Sequence, residues 1–405
     1  MLPRHESAPV FCLDRRSDSQ RRRAPDGAEG LSALIATPRT PASLAAALDS
    51  GFYVPSDGPG VFLHREEYRI EGGITKTRWG VIAGLDPVLG EVHPVVSPPR
   101  EPLEPFVEQV RLAGVDPGGT TLLYRDEEHM IEKLVDARGT SDPLLALEEP
   151  DGSQHRVWRL SDDEAEVVLQ LLAHCPSTLV GDLSVYRAMA RLAGEFGGPQ
   201  RQGTIVHCFN QRDFGVTLAS CAHLFDLPSE FEVNAFVAGL YSDFEIVEFN
   251  VGAPEVEPRA WNNFYDMIRT EGITQKVVGL SVRGIENAYM VRVPEGQRPP
   301  GVDDSVPESA IEYDAEWVYR SIVDRYFPPD SQRASDILVE PRRVPECFMH
   351  PCDHRRVSVV LNPPPKRHIP DLAGLKWQLP FGTIQVRPVV PRGLFLRSFA
   401  SQPSV

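Results

Sequence analysis

Cysteine is scarce in this chain: Cys12, Cys175, Cys208, Cys221, Cys347 and Cys352 are the only six in 405 residues. So thin a set argues against a disulfide-stapled secreted fold and fits reduced thiols in a cytoplasm. No apolar run approaches the ~18 residues that a membrane-spanning helix needs. The N-terminal stretch MLPRHESAPVFCLDRRSDSQRRR carries basic residues with no apolar segment after them, so it does not read as a secretory signal. Positive charge is also short, with 41 Lys and Arg against 57 Asp and Glu and a net charge of −16. That balance argues against nucleic acid and anionic membranes as partners.

Several chemical signatures are missing as well. No G-x-G-x-x-G opens a helix after a strand, and no G-x-x-x-x-G-K-[ST] is present, so neither a Rossmann nor a P-loop nucleotide site is signalled. H-E-x-x-H and G-x-S-x-G are absent too. The tightest metal-like grouping is Cys347, His350, Cys352 and His354. Its donors are adequate for zinc, but ligands one or two residues apart, with a proline among them, do not reach a tetrahedron from one turn. The expectation is an ordinary loop and no metal.

What is present reads as α+β: mixed sheets with hairpins and packed helices. GVFLHREEYRI and TKTRWGVIAGLD are strands around a Glu71-Gly72-Gly73 turn. LAAALDSGF, EPLEPFVEQVRLAG, EEHMIEKLVDAR, AWNNFYDMIRTEG and DAEWVYRSIVDRYF read as helices. Ser161-Asp162-Asp163-Glu164 is a capping box, in which serine and glutamate each satisfy an amide of the first turn. HRVWRL, GTIVHCFN, GVTLASCAHLFD, QKVVGLSV, NAYMVRV and RRVSVVL read as strands. The expected organisation is an N-terminal arm and short helix over 1–45, an α+β domain over 46–200 and a second over 201–405.

Single residues carry weaker signals. Glu66-Glu67 and Asp162-Asp163 read as solvated or capping pairs. Arg78 beside Trp79 can hold a phosphate or carboxylate with its planar fork, or cover apolar surface with its stem. His207 and Cys208 are strand neighbours that face opposite sides, and either can pair across strands with Cys221 or His223. In VGDLSVYRAMARLAGEF, residues 180–196, Asp182 or Ser184 can cap a helix whose stripe is Val185, Tyr186, Met189, Leu192, Ala193 and Phe196. Free amides at such a start can also hold an anion.

From about Gly60 onward the order of segments resembles DUF1015, a family of uncharacterised bacterial and archaeal proteins. The pieces that carry the resemblance are RWGVIAG (78–84), TLLYRD (121–126), HRVWRLSDDE (155–164), GVTLASCAHL (215–224) and LNPPPKRHIPDLAGLKWQLP (361–380). The family's Ala-Asp-Gly-His-His-Arg-Tyr-Glu motif is similar to a turn of ParB-like nucleotide-binding domains and free-serine kinases. Here it falls on VGDLSVYR, where only Tyr186 matches in place; Leu183 and Ser184 stand for the histidines and Val185 for the arginine. Removing those cations removes the charge that would stabilise phosphoryl transfer.

The resemblance therefore implies one of two functions. The first is an enzyme with a reworked pocket, transferring a phosphoryl or other group to an amino-acid-like substrate, with ATP or ADP and Mg as cofactors. Its catalytic candidates are Asp182, His93 and His223, and its substrate-binding candidates are Arg78, Ser184, Tyr186, Arg187 and Arg387. The second is a non-catalytic member that binds a small polar metabolite or a partner protein on the retained scaffold. A DNA-partitioning role is disfavoured by the net charge and the missing arginine.

Overall fold

The structure is a computed structural model. It describes residues 5–6, 8–13, 53–69, 74–85, 92–94, 103–113, 115–116, 118–136, 141–148, 152–181, 183–196, 204–219, 221–252, 258–304, 317–328, 332–333, 344–349, 355–363, 385–387 and 395–398. The chain divides into two units, the first made of Met1–Thr217 with 369–374 and 386–405, the second of Leu218–His368 with 375–385. The expected helix at LAAALDSGF lies outside the described residues.

The first unit contributes, in chain order, β1 (His5–Glu6), β2 (Ala8–Leu13), β3 (Tyr53–Gly60), β4 (Phe62–Arg69), β5 (Thr75–Leu85), β6 (His93–Pro94), β7 (Val115–Asp116), β8 (Thr120–Tyr124), β9 (Leu145–Glu148), β10 (Gln154–Arg159), β11 (Ser177–Gly181) and β12 (Thr204–Asn210). Nine of them form one sheet in the order β6-β11-β8-β12-β5-β4-β10-β9, with β1 added on β5. The sheet is mixed. β4 and β5 make the expected antiparallel hairpin, closing from Arg69 opposite Thr75, whereas β12 runs parallel to β8 and β11 parallel to β6. Every residue of β8 and β12 is buried, as interior strands covered on both faces require.

Helices complete this unit: α1 (Leu103–Ala113), α2 (Met130–Asp136), α3 (Asp162–His174) and α4 (Leu183–Phe196). Apolar residues three and four apart give α1 and α4 matching faces, and Val107 and Val110 pack against Val185, Ala188, Met189 and Leu192. The capping box of α3 forms as expected, with the Ser161 amide donating to Glu164 Oε2 at 2.8 Å. Asp126 starts α2: its Oδ2 accepts from the Met130 amide at 2.6 Å and the Ile131 amide at 3.3 Å.

The second unit is built on β14 (Cys221–Leu227), α5 (Val233–Asp243), β15 (Glu245–Asn250), α6 (Pro258–Glu271), β16 (Val277–Val282), β17 (Asn287–Arg292), β18 (Gln332–Arg333) and β19 (Arg355–Leu361). Its six strands are antiparallel in the order β15-β17-β16-β19-β14-β18. The aromatic face of α6, Trp261, Phe264, Tyr265 and Ile268, forms the core with Val277, Ala288, Met290 and Val360. Gly279 lets the helix approach, since a Cβ there would run into Ile268 Cδ1. Elsewhere β13 (Thr217–Ala219) pairs with β20 (Gln385–Arg387), and β21 (Phe395–Ser398) joins β2, β3 and β7 in the order β3-β2-β21-β7.

The segment DAEWVYRSIVDRYF departs from the regular helix that its periodicity predicts. Tyr319–Val323 is a π-helical turn, followed by α7 (Asp324–Tyr326), and the Asp324 amide bonds the carbonyl of Tyr319. An apolar stripe reports which face is buried but not whether one turn is widened by a residue.

Asp116 shows how the first unit is tied together. Its side chain is fully buried and accepts from the Gly118 amide at 2.8 Å, from Thr204 Oγ1 at 3.0 Å and from the Ile205 amide at 2.6 Å, joining β7 to the start of β12. Asp116→Ala strands three buried donors, so urea unfolding should show a loss of about 2–4 kcal/mol. A loss under about 0.5 kcal/mol would contradict this role.

Candidate functional site

Strand alternation sorts the nine-stranded sheet into two faces, and one of them is ionic. On β4, His64 and Glu66 point the same way. Register places Gly80 opposite His64 and Arg78 opposite Glu66 on β5, and Val157 and His155 opposite the same two residues on β10. Across β5, Phe209 lies opposite Gly80 and His207 opposite Ile82. Four central strands thus bring His64, Glu66, Arg78, His155 and His207 onto one face. None is more than 2% exposed.

Their bonds are specific. Arg78 donates through Nε (2.8 Å) and Nη2 (2.6 Å) to the same oxygen, Oε2 of Glu66. Its guanidinium lies 4.2 Å from the centre of the Phe209 ring. That ring occupies the space a side chain at position 80 would fill, since a Cβ there would stand 2.6 Å from Phe209 Cε1. His64 Nε2 lies 3.0 Å from His155 Nδ1, the two rings stack at 5.2 Å, and His207 meets His64 edge-on at 6.0 Å. Trp79, Trp158 and Arg65 occupy the opposite face; the indoles lie 5.6 Å apart, with the Arg65 guanidinium 5.7 Å from Trp79.

Burial sets the charge state. The His64 imidazole is held well below the ordinary histidine value, by loss of solvent first and then by His155, His207 and Arg78. His207 is pushed down to about 3 by burial first, then by Arg78 and His155. Burial also raises the Cys208 thiol far above its usual value, which makes it a poor nucleophile. The cluster therefore combines one closed ion pair with the neutral imidazoles of His64 and His207. His64, Glu66 and His155 also form the one grouping of three metal-capable residues among the described residues, with donor atoms within 4.8 Å of one another. Two imidazoles and a carboxylate suit a borderline divalent ion.

The residues expected from sequence are distributed differently. Arg78 is in this cluster, but as the partner of Glu66 rather than as surface cover; Glu66 itself is buried, which overturns its reading as a solvated carboxylate. An opposite charge directly across on the neighbouring strand, twelve residues on in sequence, cannot be seen from the Glu66-Glu67 pair alone. His93 stands on β6 in register with Thr178, with β11 and β8 between it and β12 in the same sheet. Ser184 and Tyr186 lie in the first turn of α4, with Tyr186 buried, while Arg187 is exposed. Asp182 falls outside the described residues, and Arg387 ends β20. His223 belongs to the second unit, where its Nδ1 lies 2.8 Å from the Tyr319 hydroxyl. His207 on β12 and Cys221 and His223 on β14 belong to different sheets. Of the loop grouping, Cys347 lies in α8 (Val344–Met349), and His350, Cys352 and His354 are outside the described residues.

His64 and His155 were not singled out by sequence because 91 residues separate them. The available signal was His-x-Glu on a strand, which sets both side chains on one face.

A histidine whose folded pKa lies below its unfolded value of about 6.5 binds fewer protons in the native state than in the unfolded one. Stability from His207 is therefore complete above about pH 6.5 and drains away as pH falls toward about 3. Unfolding free energies across that window should decline with a shallower slope in His207→Gln than in the parent. Equal slopes would show that His207 is not held neutral.

With this geometry in place, comparison with known proteins adds one result. No curated protein matches the chain, and no solved structure does. Residues 36–183, which include β4, β5, β10 and the start of α4, match the family model described as Protein of unknown function (DUF1015), so this part of the chain is similar to that family.

Proposed function

We propose that this chain is a non-catalytic member of its family, acting by binding a partner protein or a non-nucleotide ligand rather than by transferring a phosphoryl group. The observation that carries this reading is the use made of residues 183–186. Where the family motif would supply two histidines and an arginine, this chain has the opening of α4, with Leu183 and Val185 at 4% and 0% exposure. Val185 belongs to the helix–helix core with Val107 and Val110. A packed valine cannot stabilise charge developing on a phosphoryl group.

Other features agree. Arg78, the described cation of the sheet that would otherwise suit a phosphate, is engaged by Glu66. The imidazole of His223 is engaged by Tyr319. The net charge of −16 favours a cationic or neutral ligand over a nucleotide, because a field of that sign raises the local concentration of positive groups and lowers that of polyanions.

Calorimetric titration with ATP and with ADP, each with magnesium and with or without L-serine, tests the reading. Flat traces are expected. A saturable heat that weakens in Asp182→Ala would restore the transferase reading and place a rebuilt site at 180–187.

A further inference from the structure

The cluster on β4 and β10 goes beyond a binding scaffold. We infer that His64, Glu66 and His155 hold one divalent transition-metal ion of the zinc class inside the first unit's sheet. This inference does not rest on the proposed absence of phosphoryl transfer.

Three observations carry it. The donor atoms of the three residues lie within 4.8 Å of one another, and all three side chains are at most 2% exposed. His64 Nε2 and His155 Nδ1 are 3.0 Å apart. Two donors at ~2.0–2.1 Å from a tetrahedral ion are separated by about 3.3 Å, so the imidazoles are already near ligand spacing. The other nitrogen of His64, Nδ1, is enclosed and has no hydrogen-bond partner. Of this imidazole's two polar atoms, one meets only another imidazole and the second meets nothing, which is an unfavourable state for a buried ring. An ion bonded at Nε2 replaces the imidazole–imidazole contact with a ligand bond.

The surroundings are those of a prepared ligand set. Arg78 fixes the Glu66 carboxylate with two bonds to Oε2, as outer partners orient carboxylate ligands. The donors sit on paired strands rather than on a loop: His64 and Glu66 alternate along β4, and His155 faces Glu66 across the ladder. A bound ion would staple β4 to β10. The donor types select the ion, since imidazole nitrogen suits zinc, nickel and copper, whereas magnesium and calcium require oxygen-rich shells. The guanidinium beside Glu66 further disfavours a dication that gains nothing from imidazole.

The test uses the full chain without a histidine tag, stripped by dialysis against a chelator and then titrated with zinc chloride. Metal analysis after gel filtration should find about one zinc per chain. The thermal midpoint should rise with zinc and stay unmoved by magnesium. His64→Gln and His155→Gln should each retain less than a tenth of the zinc, while His174→Gln, at an exposed helix end, retains it all. Should the two cluster variants fail to fold, the cobalt-substituted parent decides. Visible bands of tetrahedral nitrogen and oxygen coordination, without a thiolate charge-transfer band, support the site. A thiolate band overturns the inference, as does zinc binding lost in Cys347→Ser but kept in His155→Gln. A parent chain that binds no zinc overturns it as well, and leaves the nucleotide titration to judge the binding role separately.

Discussion

The ion pair between Glu66 and Arg78 is the constraint around which the first unit is organised. Both charges are almost wholly withdrawn from water. Each costs several kcal/mol to bury, and their attraction repays that only with near-ideal geometry. The β4–β5 register supplies it by setting the two residues directly opposite one another. A slip of one position would send each to the other face and leave two unpaired charges in the interior. The pair therefore contributes less to net stability than to specifying which register is tolerated. Gly80 and Phe209 belong to the same arrangement, because the missing side chain at 80 admits the ring on which the guanidinium rests.

The histidines follow from the pair. Once Arg78 is held on this face, a protonated imidazole beside it is penalised by like charge as well as by burial, so His64 and His207 stay neutral. Neutral imidazoles next to an anchored carboxylate are what a borderline metal ion binds. In the second unit a different device fixes a histidine: the widened turn at Tyr319–Val323 carries the hydroxyl that meets His223. Each unit is built on its own sheet and helices.

Much of this fold was legible in the residues. Apolar segments bounded by turns identified β4 and β5, alternation identified β10, β12 read as a strand, spacing identified α1, α3 and α6, and Ser161 with Glu164 marked a helix start that forms as expected. These are local signals of period 2 or 3.6, or of capping chemistry. The candidate site was less legible, because it depends on which strands become neighbours. Glu66 next to Glu67 looks like solvated surface until β5 is laid beside it with Arg78 in register. His155 lies in a stretch that reads only as a strand, and its meeting with His64 is a property of strand order. The same limit applies to Val185: the sequence offers a helix start there, whereas the packing of α4 against α1 shows the side chain in a core.

The most direct test of this account is a double-mutant cycle on the ion pair, with Glu66→Leu, Arg78→Met and the two combined, followed by chemical unfolding. Each single change should cost about 3–5 kcal/mol, since it leaves a buried charge alone, and the double variant should recover most of that loss. Simple addition of the two single losses would show that the charges do not depend on each other. The ionic face could not then be what fixes the register of the sheet.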